Sequence, residues 1–373
     1  MKRTYAAVIL AIMLVIGGCG KSSDSSKEAT PTPTEESTNK IDSKAAESLM
    51  EHYMTYVVDM NDNAKRSFYS DSLLQEIGSE EMEKEPHVAG YILGDNSSSE
   101  AGSDFSVSLL CEVTGEPDFS IDTYSYTLIN ENGSIKINKI SKESSMELIG
   151  EEDKIYLKKD EESEKQLAVT LDDLPDYSVM QKGASPEHKF SVPKKKFTSC
   201  GMAPEGENII VTSSDDTASG CFIAKVTMKK EEEALQQGED DQGGGQEEEG
   251  KQGEKKEDED KEKSSGIVKP MDLINGCQAY GITFSPEFDK FIVGLIYSNG
   301  MKDFRIYDME SGKIVEAQVD FLGEKVSSDM PYFVSSKEIQ FKVNPSDDAT
   351  DEEKSYKGKW SFDLESGKVK QIQ

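Results

Sequence analysis

Residues 304–315 of the chain read FRIYDMESGKIV, and residues 359–370 read KWSFDLESGKVK. In each segment a β-rich run leads into Asp-x-Glu-Ser-Gly-Lys, and a second β-rich run follows. This pattern predicts strand, turn and strand, with the glycine supplying the positive φ angle of the turn. The two Ser-Gly pairs, at 311 and 366, are 55 residues apart. The repeat predicts a series of antiparallel β units in the C-terminal part of the chain.

Two further segments extend this repeat upstream. They read GITFSPEFDKFIV at 281–293 and GMAPEGENIIV at 201–211. Both resemble the strand–turn–strand of TolB-like and WD40-like β-propeller blades, and a β-only repeat of 40–55 residues is typical of propellers. The resemblance implies about four blades in 146–373, starting near 146, 187, 276 and 331. It leaves open a small closed propeller or an incomplete β-arc, and it implies a binding rim at the turns.

The N-terminus has the features of a secretory signal. Lys2 and Arg3 precede an uncharged, mostly apolar run at 5–18, which as a helix would be roughly 21 Å long and too short for the ~30 Å hydrocarbon core. The run ends in Ile16-Gly17-Gly18-Cys19, which resembles the lipobox of bacterial lipoproteins. The resemblance implies a signal peptide at 1–18, cleavage between Gly18 and Cys19, and a diacylglyceryl anchor on Cys19.

The segment 19–41 is rich in Ser, Thr, Pro, Lys and Glu. This composition cannot bury enough apolar surface to offset chain entropy, so it predicts a disordered tether. Together with this tether, the lipobox resemblance implies localisation at the extracytoplasmic face of a cell membrane, with lipid as the anchor.

Helical and then β patterns define a first domain at 42–145. Apolar residues spaced by three and four over 43–60 predict a helix capped by Asp42 or Ser43, and a second helix over 62–77 ends at Gly78. Alternation at 105–113 predicts a strand with one buried face, followed by strands at 121–129 and 134–140 joined by an Asn132-Gly133 turn. The fold class is therefore mainly β with a smaller α+β domain.

The order of these elements and the NGSIKINKI strand at 132–140 resemble the NTF2-like cone of small lipoproteins. The resemblance implies a concave sheet that can hold a small ligand or perform acid–base chemistry. Asp122, Tyr124 and Tyr126 are the candidates for such a site, and packing is the alternative interpretation of the same residues.

Residues 229–265 interrupt the repeats with 15 acidic and 7 basic residues, and Ala234 and Leu235 are their only apolar residues. The composition predicts a solvated, disordered insert. Carboxylates there could collect Ca²⁺ weakly, but the ordered ligand spacing of a specific calcium loop is missing.

The remaining chemistry-bearing residues are few. Cys111, Cys200, Cys221 and Cys277 allow three full pairings, and Cys200 with Cys221 is a candidate disulfide, buried thiols being the alternative. A Cys200–His188 nucleophile pair is a remote candidate. No nucleophile elbow, zinc motif or phosphate-binding loop is present, so we expect no catalytic, metal or cofactor site.

Composition limits the partners. The chain has 73 acidic against 42 basic residues and a formal net charge of −31, which argues against nucleic-acid binding. The resemblances to lipoproteins and to propeller blades imply a non-catalytic binding, scaffold or sensing lipoprotein with an envelope protein as partner. The alternatives are a small-ligand or solute-binding lipoprotein that uses the NTF2-like cavity, and an NTF2-like enzyme.

The anchor gives the first testable prediction. Replacing Cys19 with Ala removes the sulfur that would carry the lipid, so the variant should be released from the membrane or left unprocessed. Membrane fractionation and intact-mass measurement check this. A variant processed and held in the membrane like the wild type would contradict the lipobox interpretation.

Overall fold

A computed structural model describes residues 41–78, 87–98, 102–182, 188–217, 219–229, 264–315, 322 and 325–372. The predicted signal peptide, the Cys19 lipidation site and nearly all of the tether lie outside these residues, as does most of the acidic insert. Ile41, placed at the end of the tether by the sequence, is buried beside the first helix. None of the helices in these ranges is both long and apolar enough to cross a membrane.

The N-terminal helices agree closely with the sequence pattern. The first helix begins after Asp42, whose carboxylate accepts from the Ala45 N–H at 2.9 Å. The predicted second helix is divided into two, because the chain bends at 67–70 and Ser70 starts a new cap by accepting from the Leu73 N–H. Gly78 ends it with φ 65°, as predicted. The helices are α1 (Ser43–Val58), α2 (Asp62–Arg66) and α3 (Asp71–Ile77).

Six antiparallel strands follow in a single sheet, each paired with the next along the chain. The Asn132-Gly133 turn joins the third and fourth strands, with φ angles of 53° and 82°. The strands are β1 (His87–Ser98), β2 (Ser103–Glu112), β3 (Phe119–Glu131), β4 (Ser134–Glu151), β5 (Lys154–Lys158) and β6 (Gln166–Thr170).

This sheet corrects the position of the domain boundary. The boundary expected between 145 and 146 falls inside β4, and the residues expected to begin a first blade, 154–170, form β5 and β6 of the same sheet. The physical reason is that β4 is long enough to pair with β3 along its first part and with β5 along its last part. The described residues accordingly belong to one compact unit within 39–373.

The first sheet is covered on both faces along β2. The helices cover one face, where α1 packs against Val107, Leu109 and Cys111. The other face, which carries Leu110 and Ile121, packs against the C-terminal strands. The one-face pattern expected for 105–113 is therefore wrong at Leu110 and Glu112, which are both buried.

Three antiparallel meanders occupy the C-terminal part. They begin at Lys196, Cys277 and Val326, whereas the predicted positions are 187, 276 and 331. Such a series is compatible with a propeller-like arrangement. The first meander is β9 (Lys196–Met202), β10 (Asn208–Ser214), β11 (Gly220–Met228) and β12 (Gly266–Asn275); the second is β13 (Cys277–Phe284), β14 (Lys290–Tyr297) and β15 (Lys302–Asp308). The third is β16 (Val326–Ser328), β17 (Tyr332–Ser335), β18 (Glu338–Pro345), β19 (Gly358–Asp363) and β20 (Lys368–Gln371).

Smaller elements connect these sheets. A single 3-10 turn at Leu171–Asp173 follows β6, and the short helix α4 (Asp351–Ser355) precedes β19. The paired segments β7 (Tyr177–Ser178) and β8 (Phe190–Ser191) lie between the first sheet and the first meander.

The repeated sequence forms the same turn twice, as predicted. Asp308 accepts hydrogen bonds from the N–H and hydroxyl of Ser311, and Asp363 does the same for Ser366. The glycine that follows each serine has a positive φ angle, 74° at Gly312 and 68° at position 367. In this turn the aspartate side chain takes the place of a backbone acceptor for the serine N–H. Both copies therefore need Asp and Ser for these hydrogen bonds and Gly for the positive φ angle.

The ends of the acidic insert are placed by their neighbours. Met228 at the end of β11 pairs with Gly266 at the start of β12, and the Lys229 N–H donates to the Ser265 carbonyl. The insert therefore connects two adjacent antiparallel strands.

Candidate functional site

A groove of about 660 Å³ lies between the helix-covered sheet and the third meander. We call it the junction groove. One wall comes from the end of α1 and the start of β1, and the other from the loop before β17 together with β18 and β19. Its polar lining residues are Asp59, Asn61, His87, Asp329, Tyr332, Lys342 and Lys359.

Charged groups of both signs line this groove. Lys342 and Lys359 are directly opposite each other on β18 and β19. The Lys359 ammonium is 3.9 Å from the Asp59 carboxylate across the groove and 5.4 Å from the centre of the Tyr332 ring. Asp329 accepts from the Asn344 amide at 3.0 Å. The lining thus offers two ammonium groups, two carboxylates and an aromatic face.

A buried carboxylate joins the sheets behind the groove. Glu112 at the end of β2 is 3 % exposed, and its carboxylate accepts from the Ile282 N–H of β13 at 2.8 Å. It also lies 3.0 Å from Nδ1 of His87, a groove-lining residue. Next to it, the Thr283 hydroxyl donates to the Ala89 carbonyl of β1. These contacts join β13 to β1, whose first residues form part of one wall of the junction groove.

Gly281 is required for this approach. A Cβ atom at position 281 would lie 2.7 and 2.8 Å from the two carboxylate oxygens of Glu112, closer than real contacts allow. Glu112 is not among the residues predicted for a site, because it fits the polar face of the alternating strand at 105–113. Leu110 was the available signal, since an apolar residue on the polar face indicates that the face is covered.

A second cavity of about 250 Å³ lies under the helices. Tyr124 and Tyr126 line it, as do Tyr53 and Tyr69, whose hydroxyls are 3.0 Å apart. The buried Lys65 also lines it and pairs with Asp62 at 2.7 Å. Its other lining residues are apolar or thiol-bearing: Val57, Ile77, Val88, Leu109, Cys111 and Ile140.

Asp122 is not among the residues that line this cavity. Its carboxylate accepts from the Ser145 hydroxyl at 2.6 Å and pairs with Lys142 at 3.0 Å. The structure therefore brings together two members of the predicted constellation, Tyr124 and Tyr126, and engages the third with β4.

The histidines have different surroundings and are not part of one site. His52 packs against the rings of Tyr56 and Phe68. His188, expected as a remote base for Cys200, is exposed, whereas Cys200 is buried. Across the described ranges no three metal-ligating side chains come together.

The candidate disulfide between Cys200 and Cys221 is not formed, and both are buried free thiols, the alternative left open by the sequence. Cys200 is on β9 and pairs with Val211, while Cys221 is on β11 and pairs with Ser214. Strand β10 lies between them and their partners on it are three residues apart. Two strand spacings alone separate their backbones by roughly 9–10 Å, and the offset along the strand adds to this, so they are beyond disulfide reach. The Cys200 thiol instead donates to the Pro117 carbonyl at 3.0 Å.

The chain has only low similarity to known proteins and structures. No protein-family model matches the chain, and no curated protein matches it. Solved structures with some likeness are a candidate 6-phosphogluconolactonase from Bacteroides uniformis (TM-score 0.29, 10 % identity, covering 79 % of this chain and 73 % of that one) and Kuenenia stuttgartiensis hydrazine synthase (0.30, 10 %, 79 % and 98 %). A third is TolB from Acinetobacter baumannii (0.28, 10 %, 76 % and 69 %). Scores this low assign neither an activity nor a ligand to this chain.

The Glu112 contact generates a stability prediction. Replacing Glu112 with Ala leaves the buried Ile282 N–H without its acceptor and opens space beside Gly281, so the free energy of unfolding should fall by about 2–4 kcal/mol. Denaturant unfolding measures it. Glu116→Ala, an exposed change in the following turn, is the matched control and should cost less than about 0.5 kcal/mol. Equal losses for both variants would contradict the assigned role.

Proposed function

We propose that this chain is a lipid-anchored, extracytoplasmic binding protein that holds a segment of an envelope protein in the junction groove. The observation that carries the proposal is the groove itself. Its volume of about 660 Å³ lies within the usual range of ligand sites, and it combines an aromatic face with charges of both signs. Anchoring at Cys19, as the lipobox resemblance implies, would keep the site close to other membrane proteins.

The state of the polar groups favours binding over catalysis. His87 is engaged with Glu112, Lys359 with Asp59 and Tyr332, and Asp329 with Asn344. Groups fixed in this way orient a partner through hydrogen bonds and charge, which gives specificity. Lys342, exposed on the same wall, extends the cationic surface. A scaffold or sensing role follows from such a site on a tethered protein.

A second candidate function is small-ligand binding in the cavity beneath the helices. Its volume of about 250 Å³ suits a compact molecule, and Lys65 together with four tyrosines would orient an acidic group above an apolar wall. This candidate corresponds to the small-ligand alternative favoured by the NTF2-like resemblance.

Site-specific photo-cross-linking in intact cells tests the first proposal. Benzoyl-phenylalanine in place of Lys342 should give one dominant adduct with an envelope protein. The same cross-linker in place of Lys159, which is exposed and does not line the groove, should give none. Adding Lys359→Glu should reduce the adduct about tenfold, equivalent to about 1.4 kcal/mol of binding energy.

Lys354→Glu, an exposed charge reversal away from the groove lining, is the matched control and should leave the adduct unchanged. Equal adducts from positions 342 and 159 would contradict the groove as the binding site. Native mass spectrometry that finds a small molecule bound, with no protein adduct, would favour the second candidate.

A further inference from the structure

Two buried thiols lie where the first and second meanders join. Cys221 lies near the start of β11, and Cys277 is the first residue of β13. Both side chains are 0 % exposed. The two cysteines are on different sheets and flank the hairpin that carries the acidic insert.

The register places them close together. Cys221 pairs with Ile274 of β12, and residues paired in this way have Cα atoms about 4.5–5.5 Å apart. The chain then turns sharply at Gly276, where φ is 76°. The turn returns Cys277 toward the same point, so that its Sγ lies 3.9 Å from the Ile274 carbonyl oxygen. Ile274 is thus a shared neighbour of both thiols.

Their electrostatic surroundings agree with this placement. Burial is the main cause that raises the pKa of the Cys221 thiol well above its usual range, and the neighbouring Cys277 thiol is the next cause. The Ala279 N–H, two residues beyond Cys277, acts on the same sulfur in the opposite direction. The Cys221 sulfur therefore faces the first residues of β13.

We propose that Cys221 and Cys277 are a disulfide site that is used when the chain folds in oxidising surroundings. The use of this site in cells rests on the extracytoplasmic location proposed above. Of the other cysteines that the structure describes, Cys111 packs under the helices and the Cys200 thiol contacts Pro117.

The chemistry requires an external oxidant. Two S–H bonds break and one S–S bond forms, with the release of two protons and two electrons. A thiol–disulfide oxidoreductase or oxidised glutathione accepts the electrons, and its own disulfide becomes two thiols. Burial raises the pKa of the Cys277 thiol to about 12, so exchange in the folded protein is slow and the bond has to form during folding.

The bond would close a loop that contains the whole insert, because 229–265 lies between the two cysteines. A cross-link of this kind limits the unfolded chain and fixes β11 to β13 even when the insert is cut. Cys277 is also the only cysteine in the sequence after the insert. Any covalent link between the two halves of a nicked chain must therefore use it.

The test uses the full chain with Cys19→Ser and a recognition sequence for a site-specific protease in place of 243–249. The protein is unfolded, refolded with reduced and oxidised glutathione, alkylated and then cleaved. We expect the two fragments to migrate together on a non-reducing gel and separately after reduction. Cys221→Ser should abolish the link, whereas the matched Cys111→Ser/Cys200→Ser variant should retain it.

Fragments that separate without a reductant, or a link that survives Cys221→Ser, would overturn the proposal. Repeating the gel on protein alkylated directly in cells tests location independently. Linked fragments after refolding but separate fragments from cells would contradict export, while the disulfide site would stand.

Discussion

The packing of the helix-covered first sheet against the C-terminal meanders depends on one buried group, the carboxylate of Glu112. It comes from the sheet that the N-terminal helices cover, and it accepts the Ile282 N–H of β13. A buried carboxylate is costly unless its oxygens receive hydrogen bonds, and here a backbone N–H and the His87 ring supply them. Gly281 leaves the necessary room. Because His87 also lines the junction groove, the same contact fixes one wall of the candidate site.

The position of the groove follows from the way the first sheet is covered. Helices cover one face of β2 and β3 and the C-terminal strands cover the other, so this part of the sheet is the middle layer of the packing. A site formed at the junction of two sheets can use charges from each, as Asp59 and Lys359 illustrate. Under the proposed function a bound segment would contact both walls at once, so its binding would depend on the junction remaining closed.

Local signals in the sequence predicted what local physics controls. The Asp-x-Glu-Ser-Gly-Lys turns, the Asp42 cap, the Gly78 helix end and the Asn132-Gly133 turn each depend on residues within a few positions, and each is confirmed. The pairing of β4 with β5 and the burial of Glu112 depend on segments that are distant in sequence. Alternation at 105–113 indicates that one face of the strand is covered. No local feature indicates that the other face is covered by a strand 170 residues away. The groove was missed for the same reason, since its walls come from both ends of the chain.

Residue-resolved hydrogen exchange at Ile282 tests the central contact most directly. In the β13–β14 ladder Ile282 pairs with Val293, but its N–H points to Glu112 instead, so its protection reports on that carboxylate. We predict a protection factor on the order of 10³ or more, typical of amides that exchange through large openings. Exchange as fast as that of an exposed turn amide would contradict the closed junction, and with it the groove as a formed site.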